Sequence, residues 1–260
     1  MSDRPILMST MMVKQLLNKN KTHTRRFITK NNSTIGEGGD WGKLCWDGSE
    51  VLNERLQECF DHGQKGSMAE AIKNNGYHAP SPWVDNSYPD YKYLHVPYEW
   101  KEHGTIFRVY PKIEPKNILW VKETHAFEER LDNCKTRDIG EAADVQTWYK
   151  AEHWADCYPL FLKRGKWRPS IFMPRWACRI QREVVSVKSQ QLGNMTDEEA
   201  MDEGMDETIA SFLGISMGDY SKDCGNYYLK IYKAYWNYLN GKTHPWDDKT
   251  WVWDYGFREL

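Results

Sequence analysis

Apolar residues recur at helical spacing in three parts of the chain. The first covers residues 12–17 and follows two hydroxyl residues, either of which can cap a helix. The second begins at Thr196, and Glu199 three residues later completes a capping box. The third covers residues 227–239 and presents an aromatic face. The pattern therefore predicts three helices that lie far apart along the chain.

Strand patterning occurs between these helices and at both ends of the chain. The patterned segments are residues 6–9, 105–110, 118–123, 179–188 and 251–257. Strands at both ends of a mixed pattern predict an α+β fold. We expect the first and last strands to pair and to close a barrel.

Two long segments carry little periodic pattern. Residues 28–105 are rich in Gly, Asn, Asp, Pro and Tyr, and they predict a loop-rich insertion with one short helix near residues 50–60. A polar, partly helical second insertion is expected at 127–165. We therefore predict a single elaborated domain over residues 1–260.

Composition narrows the classes of function. The 260 residues carry 35 basic and 37 acidic side chains, which argues against a generic nucleic-acid coat and leaves a local basic cleft open. The 13 Trp and 15 Tyr mostly predict core packing. The chain has no apolar run of bilayer length and no signal-peptide pattern at its start. We expect a cytoplasmic protein without a membrane partner.

The sequence contains no complete motif for a metal, a phosphate loop or a cofactor. The six cysteines are scattered without a CxxC pair, which predicts free thiols and no metal. Gly241, Lys242 and Thr243 resemble the end of a P-loop, but Trp236 stands where that motif needs Gly. We therefore expect neither a metal nor a cofactor.

The densest polar cluster is residues 21–26, where three cations, two hydroxyls and an imidazole follow the first helix. This cluster resembles the hallmark of the ASCH family, Gly-x-Lys-x-x-Thr-x-Arg. Lys21, Thr24 and Arg26 match the hallmark, whereas Lys19 replaces its Gly.

Further segments resemble phage and prophage members of the same family, and all of them occur in the family's order. Residues 118–124 are similar to its Leu-Trp-Val-Arg-Glu-Thr-Trp strand, although His125 replaces the last Trp. Residues 167–177 resemble another conserved run of those proteins, and 200–204 match an Ala-x-x-Glu-Gly element. Residues 251–257 correspond to the closing strand.

The resemblance implies a PUA-like β-barrel with flanking helices and a large insertion at 28–105. It also implies a cleft lined by Lys21, Thr24 and Glu203, the positions that carry catalysis in the family's N4-acetylcytidine amidohydrolases. The expected walls of the cleft, which would bind substrate, are Arg26, Trp120, Glu123 and Arg175.

These residue types suit amide hydrolysis for general chemical reasons. A Thr24 hydroxyl attacks only if a base takes its proton, and Lys21 can be that base only when neutral. Glu203 as a carboxylic acid would protonate the departing amine. Because positions three apart share a face on a turn and not on a strand, we expect residues 21–24 to form a turn.

The favoured function is an enzyme that removes an acyl group from a modified nucleoside or nucleotide. Three alternatives remain open: a non-catalytic module that binds RNA, single-stranded nucleic acid or modified DNA, a nuclease, and a phage protein whose 28–105 insertion binds a host partner.

Overall fold

The computed structural model describes residues 2–29, 33–35, 83–84, 94–98, 105–140, 145–152, 163–215 and 226–260. The short helix predicted near residues 50–60 lies outside these residues. The strands are β1 (Asp3–Leu7), β2 (His23–Phe27), β3 (Ser33–Ile35), β4 (Trp83–Val84), β5 (Leu94–Tyr98), β6 (Thr105–Pro111), β7 (Ile118–Lys122), β8 (His125–Ala126), β9 (Trp148–Tyr149), β10 (Gln181–Gln191) and β11 (Trp251–Glu259). The α-helices are α1 (Thr10–Leu17), α2 (Asp197–Asp202), α3 (Glu207–Phe212) and α4 (Tyr227–Asn240).

The main sheet has five strands in the order β1-β7-β10-β11-β2. β1 runs parallel to β7, and every other neighbouring pair is antiparallel. The predicted strands near both ends of the chain therefore lie in one sheet, but the expected pairing of first with last strand is wrong. β1 pairs with β7, whereas β11 lies between β10 and β2. Within the described residues, β1 and β2 are the two edges, and the sheet does not close into a barrel.

Burial explains why β11 occupies the inside of the sheet. Seven consecutive residues, 251–257, are buried, so both faces of this strand are covered. Such a strand reads as nearly continuous apolar sequence, which matches its run of aromatic residues. Gly256 is required here, because a Cβ at this position would lie 2.3 Å from Ser186 Oγ.

The helices pack against this sheet through the stripes that the sequence predicts. In α1, Met12, Val13 and Leu16 are buried, and the Ser9 side chain accepts a hydrogen bond from Met12 N. The capping box of Thr196 and Glu199 is present at the start of α2. Helix α3, which the pattern did not predict, is only six residues long. The sheet and these helices enclose the main core.

The described strands of the 28–105 segment form a second sheet with β6, in the order β3-β6-β5-β4. Of the described residues in that segment, none joins the main sheet. A hydrogen bond of 2.8 Å from Trp253 Nε1 to Ser33 Oγ connects the two sheets. Residues 127–165, predicted to be partly helical, contain only 3-10 turns, such as Glu129–Leu131, and strand β9 in their described part. Over the described residues, no helix has the length and apolar character needed to cross a membrane.

Candidate active site

A cavity of about 110 Å³ lies at edge strand β2, inside a depression of about 530 Å³ that is open to solvent. β2 contributes one wall, Met12 of α1 another, and the aromatic face of α4 a third. The three predicted catalytic residues, Lys21, Thr24 and Glu203, all line this cavity, as does Arg26. The structure thus brings together four of the seven residues that the sequence singled out.

Lys21 and Glu203 form a buried ion pair across 182 positions of sequence. The backbone brings them together, because these residues form an isolated antiparallel bridge. Lys21 Nζ lies 2.5 Å from Glu203 Oε2 and donates to Glu203 O at 2.9 Å. The two side chains are 1% and 4% exposed, so water screens their attraction little.

Residues 21–24 do not form the turn that the chemistry was expected to need. Lys21 lies in the bridge opposite Glu203, and β2 begins two residues later at His23. Thr24 is buried within that strand and faces Tyr255 in the register of β11. Lys21 lies before the strand, so its side-chain direction is not fixed by the alternation along β2. The side chains of Lys21 and Thr24 therefore both reach the same cavity.

The end of helix α2 presents Glu203 to the cavity. Glu203 is the C-terminal capping residue of α2, and Gly204 follows with a φ of +89°. Gly204 is needed there, since an added Cβ would lie 2.8 Å from Gln15 Cβ and 3.1 Å from Lys21 Cβ. A larger residue at 204 would therefore press directly on Lys21.

The Glu203 carboxylate is held from several sides. Its Oε1 accepts from Arg25 N at 2.6 Å, from Arg25 Nη1 at 3.4 Å and from Tyr232 OH at 3.3 Å. Burial by itself raises the pKa of Glu203, but Lys21 and Arg25 outweigh it and hold the pKa below its usual range. Glu203 is therefore a carboxylate, and its predicted role as an acid requires that it first gain a proton.

Burial lowers the pKa of Lys21 from its ordinary value, and Arg26 and Arg25 lower it further. Glu203 opposes this shift through its charge and its hydrogen bond. The cationic environment that the sequence suggested therefore exists. Lys21 is therefore an ammonium group with a lowered pKa, held against a Glu203 carboxylate whose pKa is also lowered.

Behind this pair, Arg25 is part of a second group of charges, of which Arg25 and Asp254 are buried and Glu199 and Lys188 are partly exposed. Arg25 Nη2 lies 3.2 Å from Asp254 Oδ2 and 3.2 Å from Glu199 Oε2. Lys188 Nζ reaches the same two carboxylates, at 2.6 Å from Glu199 Oε1 and 3.3 Å from Asp254 Oδ2. Arg25, Asp254 and Lys188 are register partners on three adjacent strands. This network fixes Arg25, and Arg25 in turn fixes Glu203.

Several of these network residues were missed by sequence reasoning. Asp254 stands inside an aromatic strand, and Tyr232 lies within the apolar face of α4. The only available signal was that Asp254 interrupts an otherwise apolar run. Burial raises the pKa of the Asp254 carboxyl, although Arg25 partly offsets this effect.

The structure does not bring Trp120, Glu123 and Arg175 to the cavity, contrary to their assignment as its walls. Glu123 is buried and accepts two hydrogen bonds from Arg179, at 2.8 and 3.1 Å. Trp120 lies on β7, at the opposite side of the main sheet from β2. Arg175 donates to Asp3 Oδ2 at 2.8 Å from Nη2. The strand expected at residues 118–123 is present as β7, but it lies three places from β2 in the sheet, and its side chains do not line the cavity.

Over the described residues, no group of three His, Cys, Asp or Glu side chains is placed to hold a metal ion. Cys134 and Cys178 are free thiols, and the other four cysteines lie outside the described residues. Comparison of the chain with family models, curated proteins and solved structures finds no significant match.

The arrangement can move a proton without exchange with solvent. Transfer of one proton from Lys21 Nζ to Glu203 Oε2 turns the ion pair into a neutral amine and a carboxylic acid. In water this transfer is unfavourable by the difference between the two ordinary pKa values. Burial reduces that cost, because a low-dielectric environment disfavours the charged forms of both groups. The pair is thus a candidate base and acid beside the Thr24 hydroxyl.

Proposed function

We propose that this chain is an ASCH-type, PUA-like protein whose cavity binds a modified nucleoside and hydrolyses an exocyclic amide, with N4-acylated cytidine as the leading substrate. The observation that carries the proposal is the buried Lys21–Glu203 pair at 2.5 Å, together with Thr24 in the wall of the same cavity. The sequence resemblance supports the family, and the geometry supports the chemistry.

The proposed reaction begins with proton transfer from Lys21 to Glu203. The neutral Lys21 amine then takes the Thr24 hydroxyl proton while Oγ1 attacks the acyl carbonyl carbon. Glu203 gives its proton to N4 as the C–N bond breaks, which releases cytidine with a free amino group. Lys21 is again an ammonium and Glu203 a carboxylate, and the acyl group is an ester on Thr24.

Water completes the cycle by the same route. After a second transfer from Lys21 to Glu203, the amine takes a proton from water, and the resulting hydroxide attacks the ester. Glu203 returns its proton to the Thr24 oxygen as that bond breaks. The carboxylic acid leaves, and the starting ion pair is restored.

Charge in the cavity favours such a reaction. Four cations, Lys21, Arg25, Arg26 and Lys188, are grouped with three carboxylates, Glu199, Glu203 and Asp254. The cations exceed the carboxylates by one, so the site favours a developing negative charge. Attack on an amide carbonyl creates an oxyanion, which fixed positive charge stabilises.

The test is turnover of N4-acetylcytidine, followed by chromatographic detection of cytidine and acetate. We expect activity in the unaltered protein and a loss of at least about 100-fold in Thr24→Val, Lys21→Met and Glu203→Gln, since each removes a group that acts in the transition state. Lys14→Met, an exposed change on α1, is the matched control for Lys21→Met and should leave turnover unchanged. Absence of turnover on every acylated nucleoside, or full activity in Lys21→Met, would refute the hydrolase.

One observation favours a second candidate, a binding module without catalysis. Lys21 and Glu203 are bound to each other, so the structure contains a closed ion pair and not an activated base. Such a pair still offers one donor and one acceptor to the edge of a base. Saturable binding of cytidine analogues that depends on Glu203, without turnover, would identify this second function.

A further inference from the structure

A second depression lies near the end of β7, where the segment after β8 meets the residues before β10. It is a groove of about 640 Å³ whose cationic residues are Lys122, Lys135, Arg137 and Arg168. We call it the basic groove. Among the described residues that line it, none is acidic. In a chain with a net charge of −2, four cations on one groove wall make a pronounced local excess of positive charge.

Two of the four cations are available to a ligand. Lys135 and Arg137 are both exposed, and Arg137 makes only a loose contact of 3.6 Å with the exposed Asp138. The Arg168 guanidinium is already hydrogen-bonded within the protein, since it donates to Cys134 O, Thr136 Oγ1 and Leu131 O. Its positive charge nevertheless adds to the potential of the groove.

The groove also carries an exposed aromatic ring. Phe172 is 59% exposed on the 3-10 turn Ser170–Phe172, and it lines the groove beside the cations. Exposed aromatic rings among cations are the components of a surface that binds single-stranded nucleic acid, because each unstacked base offers a face to stack on. A duplex keeps its base faces covered, so this ring favours a single strand.

Trp120 and Arg175, which are absent from the cavity, extend the same surface. Lys122 Nζ lies 5.4 Å from the centroid of the Trp120 ring, and the Arg175 guanidinium carbon lies 5.7 Å from it. Arg175 follows Pro174 of the groove lining directly. The half-buried Trp120 ring therefore lies next to the basic groove, with Lys122 and Arg175 both near it.

Residues of the groove and of the cavity both contact the end of β1. Arg26, in the cavity wall, donates from Nη2 to Leu7 O at 2.8 Å. The next residue, Met8, donates from its backbone N to the carbonyl of Lys122, which lines the groove. Leu7 and Met8, at the end of β1, therefore connect a residue of the cavity with a residue of the groove.

From these observations we infer that the basic groove binds the phosphate backbone of single-stranded nucleic acid, with Phe172 as a stacking platform. The inference goes beyond the proposed hydrolase, because the groove would bind such a strand whether or not the cavity is catalytic.

The test is fluorescence anisotropy with a labelled, unmodified single-stranded RNA oligonucleotide of about twelve residues, titrated at several salt concentrations. With phosphate contacts from the two available cations, Lys135 and Arg137, the slope of log Kobs against log salt should be about −1.4, so affinity falls roughly sevenfold between 50 and 200 mM salt. Lys135→Ala/Arg137→Ala should reduce the magnitude of the slope by about 1.4 and weaken binding. Lys14→Ala/Lys242→Ala, which removes the same charge at exposed positions outside the groove, should leave the slope unchanged.

The aromatic contribution is measured separately. Phe172→Ala should weaken binding at least about fivefold, whereas Phe172→Tyr should retain it, since base stacking contributes about 1–3 kcal/mol per base. Polyglutamate serves as an anionic competitor without bases. Competition by polyglutamate as strong as by unlabelled RNA, or equal binding by the groove variant and its control, would overturn the inference. Lys21→Met should bind the oligonucleotide normally, which separates failure of the groove from failure of the hydrolase.

Discussion

The buried Lys21–Glu203 pair can be tested through stability, independently of any substrate. Glu203→Gln removes the negative charge but nearly preserves the shape of the side chain. The glutamine amide has one accepting oxygen, whereas Oε1 and Oε2 together receive four donors from Lys21, Arg25 and Tyr232. In either orientation its NH₂ group faces another donor, and Lys21 is left as a buried cation.

We therefore expect Glu203→Gln to lower the free energy of unfolding by about 3–5 kcal/mol, the usual cost of removing one partner from a buried ion pair. Lys21→Met should cost less, about 1–3 kcal/mol, because Glu203 keeps Arg25 as its cationic partner. In the double variant neither charge of the pair remains. Its loss should therefore fall short of the sum of the single losses by about 1–3 kcal/mol.

The assay is equilibrium urea unfolding at pH 7, followed by tryptophan fluorescence and by far-UV circular dichroism. Coincidence of the two transitions tests for a two-state process, and equal m values allow the midpoints to be compared as free energies. Glu198→Gln, an exposed change on the same helix, is the control and should shift stability by less than about 0.5 kcal/mol. If Glu203→Gln behaves like this control, or if the two single effects add without coupling, the pair does not exist as described.

Two further predictions concern the residues that support the site. Gly204→Ala should destabilise the protein by more than the roughly 1–2 kcal/mol cost of a left-handed alanine, because its Cβ also meets Gln15 and Lys21. Gly214 has a φ of +72° and no described atom within 4 Å of an added Cβ, so Gly214→Ala should show the left-handed cost alone in thermal unfolding. Lys188, Gln190 and Arg25 overcome burial and lower the pKa of Glu199 to about 2, so its stabilisation is complete above pH 4.5 and is lost as the pH falls towards 2. Glu199→Gln should reduce the pH-dependent change in the free energy of unfolding over that range by roughly 1–3 kcal/mol. An acid transition identical to that of the unaltered protein would contradict this.

Local signals in the sequence predicted much of the fold. The capping box at Thr196 needs only two side chains three residues apart, and it is found where the sequence places it. Helix α1 likewise follows from its apolar stripe, although Leu17 is 37% exposed and Gln15 is buried instead. Gln15 takes that position because it donates to Asp206 Oδ2 at 2.7 Å and accepts from Asn20, contacts that no periodicity shows.

Strand order and the charge network could not be predicted in the same way, because both depend on register between distant segments. β11 is an internal strand only because β2, from the start of the chain, pairs with its free side. That pairing places Arg25 opposite Asp254, and pairing with β10 places Lys188 on the other side. In the sequence alone, each of these residues predicts either an exposed charge or a polar interruption of a strand pattern. Together they form the support of the candidate site.

The cavity and the charge network behind it have different physical consequences. Arg25, Asp254, Glu199 and Lys188 are linked to one another by ion pairs, although the buried atoms Arg25 Nε and Asp254 Oδ1 have no hydrogen-bond partner among the described residues. Of these four residues, Arg25 is the one that lines the cavity. The Lys21–Glu203 pair faces the cavity, and a ligand that offers an acceptor to Lys21 and a donor to Glu203 can replace their mutual hydrogen bond, although a neutral ligand does not replace the attraction between their charges. The edge of an N4-acylated cytosine has such an acceptor at N3 beside a donor at N4. A ligand without this acceptor and donor would have to break the ion pair without replacing its hydrogen bond. Under the proposed function, this difference is what would let the cavity select its substrate.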